Sequence, residues 1–537
     1  MGEVCEKPKL AKQRTFFNES KITPSMNSMN MESNGFDYQN MKTKVKLEFK
    51  IENIENNHKY QLKARFLESG YSESFTTEIV TSHINLIIFN TCYICDYFFE
   101  KRQMLQITLM KDSKDEGNIQ LPLGQIIGSQ GSFYRTQIGR VSFITISAQG
   151  LSDSNSNVNF DFKVQPISFI DFSKNSNKIS YLITSNGRKI YESESISGSG
   201  QFKSIKIPSS LIEKGFTLSF LDSRQKTLAY KNETIQSFLQ QNKGIYLGIN
   251  INDKILNIIN ASRFIRSFNF IDYIKNGVQI KLNIGIDFTA SNKLPNDPSS
   301  LHFLGGNAND YEQAIRACGS IVAFYDYNQS FPVYGFGAVI KGENKPNMCF
   351  NINFKQNPEI FEIDNVIEEY RNCFRNIQLA GPTMFCPMIK KVIQNIKIEN
   401  NPLKYHILLI LTDGIILDMQ DTIDALVEGS FLPLSVIIIG IGNDHFQEMV
   451  VLDGDDVPLV NSKGIKRMRD LVQFVPFNKY RYNPNILAEQ VLEEVPRQII
   501  EYYTMNNIYP ENLSMAKIST LSNRNGNNYL QNLNNSY

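Results

Sequence analysis

The stretch Ile280-Lys281-Leu282-Asn283-Ile284-Gly285-Ile286-Asp287-Phe288-Thr289-Ala290-Ser291-Asn292 decides the fold of the carboxyl-terminal half. Apolar residues alternate from 280 to 286, the period of a strand, and the chain then enters a polar loop. There a carboxylate, Asp287, and two hydroxyls, Thr289 and Ser291, occupy alternate positions and can point the same way. Outward from this strand, from about residue 265, near-continuous apolar runs at 406–411 and 434–441 are interspersed with amphipathic segments of helical length at 311–324, 365–375, 385–396, 422–429 and 484–503. That combination predicts a doubly wound α/β domain, a parallel sheet covered on both faces. In such sheets ligands sit at the carboxyl ends of the strands, where Asp287 and Asp413 are expected.

Two further loops join the first. Gly381-Pro382-Thr383 is a turn presenting a hydroxyl, and Leu411-Thr412-Asp413-Gly414 ends the most apolar strand. Asp287, Thr289, Ser291, Thr383 and Asp413 together offer oxygen donors without imidazole or thiolate, a set suited to Mg²⁺ or Mn²⁺. A coordination position left open by this set would accept an acidic group from a partner. A Thr and a Ser after a strand also serve as caps or turn residues. The coincidence of three loops in this order is what favours a metal.

Upstream the text is different. Short alternating bursts run from 45 to 149 and again from 158 to about 260, broken by Gly, Asn and Asp, as in Val45-Lys46-Leu47-Glu48-Phe49-Lys50-Ile51 and Phe216-Thr217-Leu218-Ser219-Phe220. They predict two antiparallel β-sandwiches, residues 41–150 and 158–262, joined by a polar linker at 152–157 and followed by the α/β domain at 265–505. Residues 1–40 and 506–537, rich in Asn and Ser, read as disordered tails. The 537 residues carry 55 lysines and arginines against 54 acids, so no global charge recruits a nucleic acid. Seven scattered cysteines are expected to be reduced thiols of a cytoplasmic protein. No secretory signal opens the chain and no apolar run reaches the roughly 18 residues of a membrane span. Cys92-x-x-Cys95 has no second pair to complete a zinc site, and no cysteine follows Cys386, which excludes a RING.

Several segments resemble the copines: Phe270-Ile271-Asp272-Tyr273-Ile274, the 286–292 loop, Tyr334-Gly335-Phe336-Gly337-Ala338, Gly381-Pro382-Thr383, Leu411-Thr412-Asp413-Gly414, Leu432-Pro433-Leu434-Ser435 and Arg469-Asp470-Leu471-Val472-Gln473-Phe474-Val475. Copines have two C2 domains followed by a von Willebrand factor A-like domain, the order read above. The resemblance implies that Asp287, Thr289, Ser291, Thr383 and Asp413 form a metal-ion-dependent adhesion site. One departure is Lys293, where copines usually have Gly; its ammonium would weaken or neutralise the site.

The resemblance also implies calcium loops in the sandwiches, where about five aspartates bridge the ion to anionic phospholipid. In the first sandwich Lys111 and Ser113 stand at positions resembling the paired aspartates, leaving Asp112 and Asp115, and the earlier loop offers Asn53, Glu55, Asn56 and Asn57. In the second, only Asp171 and Asp222 are near, and Arg224 replaces the second acid of the pair. Both calcium sites read as dismantled, with Lys111 and Arg224 as alternative contacts to lipid phosphate or a partner. The function expected is a non-enzymatic, peripheral membrane adaptor. It would bind anionic phospholipid and recruit protein targets that offer an acidic residue to the metal. Two alternatives stay open: a metal-dependent phosphotransferase or phosphatase using Asp287, and a structural scaffold with an inactive metal site.

Overall fold

The computed structural model describes residues 43–67, 74–151, 157–166, 178–197, 199–240, 245–251, 254–265, 268–454 and 457–513. The expected tail at 1–40, most of the linker at 152–157 and Asp171 lie outside the described residues.

Residues 43–151 form the first antiparallel sandwich. One sheet is built on Thr43–Glu52 and Ser142–Leu151, the other on Lys59–Phe66, Met104–Lys111 and Lys114–Pro122. Val45, Leu47, Phe49 and Ile51 alternate inward as the sequence pattern requires. The second sandwich extends slightly beyond its expected boundary, to the strand Arg263–Ile265. Its core is a separate aromatic cluster centred on Phe160, Phe162, Tyr181 and Phe238.

In the carboxyl-terminal domain the elements are α1 (Phe270–Lys275), β1 (Gln279–Asp287), α2 (Asp310–Val322), β2 (Ser330–Phe336), α3 (Ile363–Cys373), α4 (Cys386–Glu399), β3 (Lys404–Thr412), α5 (Met419–Gly429), β4 (Leu434–Gly440), α6 (Gln447–Asp453), β5 (Val472–Pro476), α7 (Pro484–Leu492) and α8 (Val495–Met505). The five strands are parallel in the order β2-β1-β3-β4-β5, and two short antiparallel segments, Phe350–Asn351 and Glu359–Phe361, pair with β2. Along β3, Ile407, Leu409 and Leu411 join the core with α2, α7 and α8, while Leu408 and Ile410 join the core with α4 and α5. Both faces are therefore covered, as a near-continuous apolar run demands.

Two local expectations are corrected. The segment 484–503 is two helices, because Pro496 in the first turn of α8 cannot continue the hydrogen bonding of α7. Although β1 alternates, Lys281, Asn283 and Asp287 on its polar side are all buried, as a sheet covered on both faces requires. The Lys281 ammonium donates to Ser330 Oγ at 2.7 Å and lies 3.0 Å from Glu359 and 3.4 Å from Asp326, so an ion pair replaces water. Residues 506–513, expected within the tail, are ordered: Leu513 is buried and Tyr509 packs on Phe268.

The first sandwich is not a detached module. Its Phe99 ring meets Phe270 and Tyr325 at 5.0 Å, Tyr97 and Tyr325 share a buried hydroxyl contact, and Lys101 pairs with Glu489 at 3.3 Å. A Cβ on Gly128 would lie 2.1 Å from the Phe324 carbonyl oxygen, so this close approach needs glycine. One core thus runs through the first sandwich and the α/β domain.

Candidate metal centre

The centre is built where β1 and β3 end side by side. Asp287 is the last residue of β1 and is fully buried. Thr289 donates to its Oδ1 through the backbone N–H at 2.9 Å and the hydroxyl at 2.6 Å, and Thr412 donates its hydroxyl to Oδ2 at 2.7 Å. Thr289 Oγ1 and Ser291 Oγ are 3.0 Å apart, and Ser291 donates to Asp413 Oδ1 at 3.0 Å. Thr383 is buried, and its hydroxyl lies 3.9 Å from where a Cβ of Gly414 would be, against the Asp413-Gly414 turn. Asp287, Thr289, Ser291 and Asp413 are thus joined by hydrogen bonds, and Thr383 lies beside the turn that follows Asp413.

Electrostatically the pair asks for a cation. Burial raises the Asp287 pKa, and burial together with the Asp287 charge pushes Asp413 up to about 7. Among the described residues the hydrogen-bond partners of the two carboxylates are hydroxyls and amides, with no basic side chain. Two adjacent carboxylates flanked by hydroxyls and lacking a counter-charge fit a hard divalent ion such as Mg²⁺ or Mn²⁺. Lys293 does not supply that charge. Its backbone turns at φ +64°, a conformation that suits glycine, and its ammonium donates to Ser299 Oγ at 2.9 Å, beside Asp297.

Sequence reasoning missed the residues that hold these loops. Asn292, fully buried, accepts from the Tyr311 hydroxyl at 2.7 Å and donates to the Thr289 carbonyl at 3.4 Å. His302 Nε2–H donates to the Asp287 carbonyl at 2.9 Å, which leaves Nδ1 to accept from the Tyr370 hydroxyl at 2.7 Å. Burial lowers the His302 pKa to about 3, so this imidazole stays neutral. Asp418 accepts from the N–H groups of Phe385 and Cys386, at 3.1 and 2.8 Å, and ties the start of α4 to the Asp413 loop. Gly337 turns at φ +79°, and a Cβ there would lie 2.3 Å from Thr289 Cγ2. Only the glycines and the loop asparagine carry a local sequence signal; a solitary His or Asp carries none.

At the end of the first sandwich where the copine resemblance implies calcium loops, the acids Glu55 and Asp112 have partners within the sandwich. Lys111 pairs with Glu55 at 2.8 Å, and Asp112 accepts from His58 Nδ1 at 2.6 Å and the Lys59 N–H at 2.9 Å. Asp115 is exposed on the following strand. In the second sandwich Asp222 Oδ1 accepts the N–H groups of Arg224 and Lys226, at 2.8 and 2.9 Å, and so closes its own turn. Arg224 is exposed. Among the described residues no three His, Cys, Asp or Glu side chains converge on one point, and no helix is long and apolar enough to cross a membrane.

A sequence model of the copine family matches residues 300–511. Among solved structures, the chain is similar to extended-synaptotagmin 2, in a chain comprising the SMP domain and two C2 domains, with TM-score 0.18 and 11% identity over 42% of this chain and 57% of that one. It is also similar to manganese-loaded Plasmodium vivax TRAP protein, with TM-score 0.26 and 12% identity over 38% of this chain and 70% of that one. A third is proximal thread matrix protein 1 from the mussel byssus with a zinc-occupied MIDAS motif, with TM-score 0.24 and 16% identity over 40% of this chain and 47% of that one. The chain thus spans little more than half the length of the synaptotagmin chain and about half that of the mussel protein.

Proposed function

We propose that this chain is a non-enzymatic, peripheral membrane adaptor that recruits protein targets through a divalent ion. The observation that carries the reading is the buried Asp287 next to Asp413, both without a basic partner among the described residues, at the mouth of a parallel sheet. Asp413 and the Ser291 and Thr383 hydroxyls would face the ion, and Asp287 would add charge from behind through Thr289 and Thr412. A bound ion supplies a Lewis-acidic charge to which a target's carboxylate adds. His302, Asn292 and Asp418 keep the three loops in register, so little reorganisation accompanies binding. The match to the copine family over 300–511 supports an adaptor of this kind.

The sandwiches are assigned membrane and protein contacts that do not require calcium. Calcium takes six to eight hard oxygens, whereas Glu55 and Asp112 are already satisfied by Lys111, His58 and Lys59. A phosphotransferase reading gains nothing here: Thr289 stands where a second acid would be needed, and its hydroxyl is committed to Asp287.

The test has two arms on the full chain. Targets captured from lysate with Mg²⁺ should be lost with EDTA and with Asp287→Ala; targets that survive both refute a metal-gated role. Sedimentation with phosphatidylserine vesicles should be the same with calcium and with chelator. Binding that requires calcium refutes the dismantled loops.

A further inference from the structure

We infer that the target segment carries its acidic residue next to large apolar side chains, because exposed apolar side chains stand on the same loops that carry Ser291 and Asp413. This rests on the metal-gated reading above and names the partner's chemistry. Ile415 and Leu417, two and four residues beyond Asp413, are 53% and 72% exposed. They are not loose. Ile416 between them is buried in the core under α4 and α5, the Leu417 N–H donates to the Thr383 carbonyl at 3.0 Å, and Asp418 is fixed by two backbone N–H groups of α4. The backbone beside each exposed side chain is thus pinned, and the loop itself need not be ordered on binding.

The loop that carries Ser291 repeats the arrangement. Beyond Ser291, Leu294 and Leu304 are 59% and 36% exposed, and the Leu304 N–H donates to the Pro295 carbonyl at 3.0 Å, which brings the two together. Ser291 and Asp413 are hydrogen-bonded, so the two loops whose next residues carry these exposed side chains meet at the centre.

Charge selects the occupant. Residues 380–386 contain no charged side chain, and residues 411–417 contain only Asp413. Lys293 is turned toward Ser299. An anionic leaflet is attracted by clustered lysines and arginines, which these loops lack. A protein segment with one carboxylate for the ion and neighbouring Leu, Ile, Phe or Met side chains for the exposed apolar groups satisfies every group present.

The experiment is selection of random 12-residue displayed peptides on the immobilised full chain in Mg²⁺, with elution by EDTA. Eluted peptides should be enriched in Asp or Glu with a large apolar residue within two positions, about fivefold over the library. On the Ile415→Ser/Leu417→Ser variant, acid enrichment should persist and apolar enrichment should vanish. Leu417→Ser alone, at the most exposed of these positions, should lose about half of it. Retained Mg²⁺-induced thermal stabilisation verifies that each variant is folded. Acid enrichment without apolar neighbours, or apolar enrichment that persists on the double variant, overturns the proposal and leaves the metal-gated reading standing. Absence of acid enrichment overturns both. Loss of phosphatidylserine-vesicle binding in the double variant overturns the proposal in favour of apolar side chains that enter the membrane.

Discussion

Replacing Asp413 by Asn should stabilise the metal-free protein at alkaline pH and have no such effect under acid. Asp413 is held up to about 7 by burial and by Asp287, against an ordinary aspartate near 4. A carboxylate with a raised folded-state pKa imposes no penalty where both states are protonated; the penalty accrues as pH rises and is complete above about 7. At pH 8 the cost of holding Asp413 ionised is about 4 kcal/mol on this basis, and screening at a centre open on one side leaves roughly 2 kcal/mol. Asn keeps the oxygen that accepts from Ser291 and carries no charge. In EDTA at pH 8 the Tm of the α/β transition should therefore rise by about 4 to 8 °C, shrinking to about zero at pH 4. Added Mg²⁺ should reverse the order, since wild type gains by linkage and the variant loses a ligand. Scanning calorimetry at both pH values, with and without Mg²⁺, measures all four conditions. An Asn variant that melts below wild type in EDTA at pH 8 refutes the uncompensated pair.

Other outcomes follow from single contacts. Gly337→Ala places a methyl 2.3 Å from Thr289 Cγ2 and should weaken Mg²⁺ binding in calorimetric titration at least about tenfold by displacing the Asp287–Thr289 loop. Lys293→Gly should relieve a positive φ and stabilise by about 1 kcal/mol in chemical denaturation, with Mg²⁺ affinity unchanged within about twofold. A rise in affinity beyond that shows that the ammonium does reach the centre. Lys281→Met leaves Asp326 and Glu359 without their cation and should destabilise by about 3 kcal/mol, read as an earlier urea midpoint. Separating the first sandwich at residue 151 exposes Tyr97 and Phe99, so that fragment should aggregate or bind a hydrophobic dye, whereas residues 157–265, with their own core, should melt cooperatively.

Legibility followed the range of the interactions. Backbone periodicity is local, so the sandwiches and the apolar strands could be read from spacing, and α2 to α5 to within a few residues, whereas the short α1 and α6 were not read. The break between α7 and α8 was signalled by Pro496, a local cue that amphipathic periodicity across 484–503 overrode. The β1 strand shows the limit. Its alternation was correct, but a strand in a parallel sheet is covered on both sides, and the burial of Lys281 depends on Asp326 and Glu359, residues 45 and 78 positions away.

By itself the sequence determined the donor chemistry of the centre, because Asp287, Thr289, Ser291, Thr383 and Asp413 sit in loops whose residue types mark a hard-cation site wherever the fold gathers them. It also shows Lys111 and Arg224 at sandwich-loop positions where the copine resemblance implies an acid. Tertiary structure decided what those residues amount to. Whether Lys293 plugs the site depends on where Ser299 lies, and whether Lys111 is available to lipid depends on Glu55, 56 positions away in sequence. Whether Asp287 is neutralised depends on which side chains from distant strands surround it. Charge balance and burial are sums over neighbours in space, and a sequence orders neighbours only along the chain.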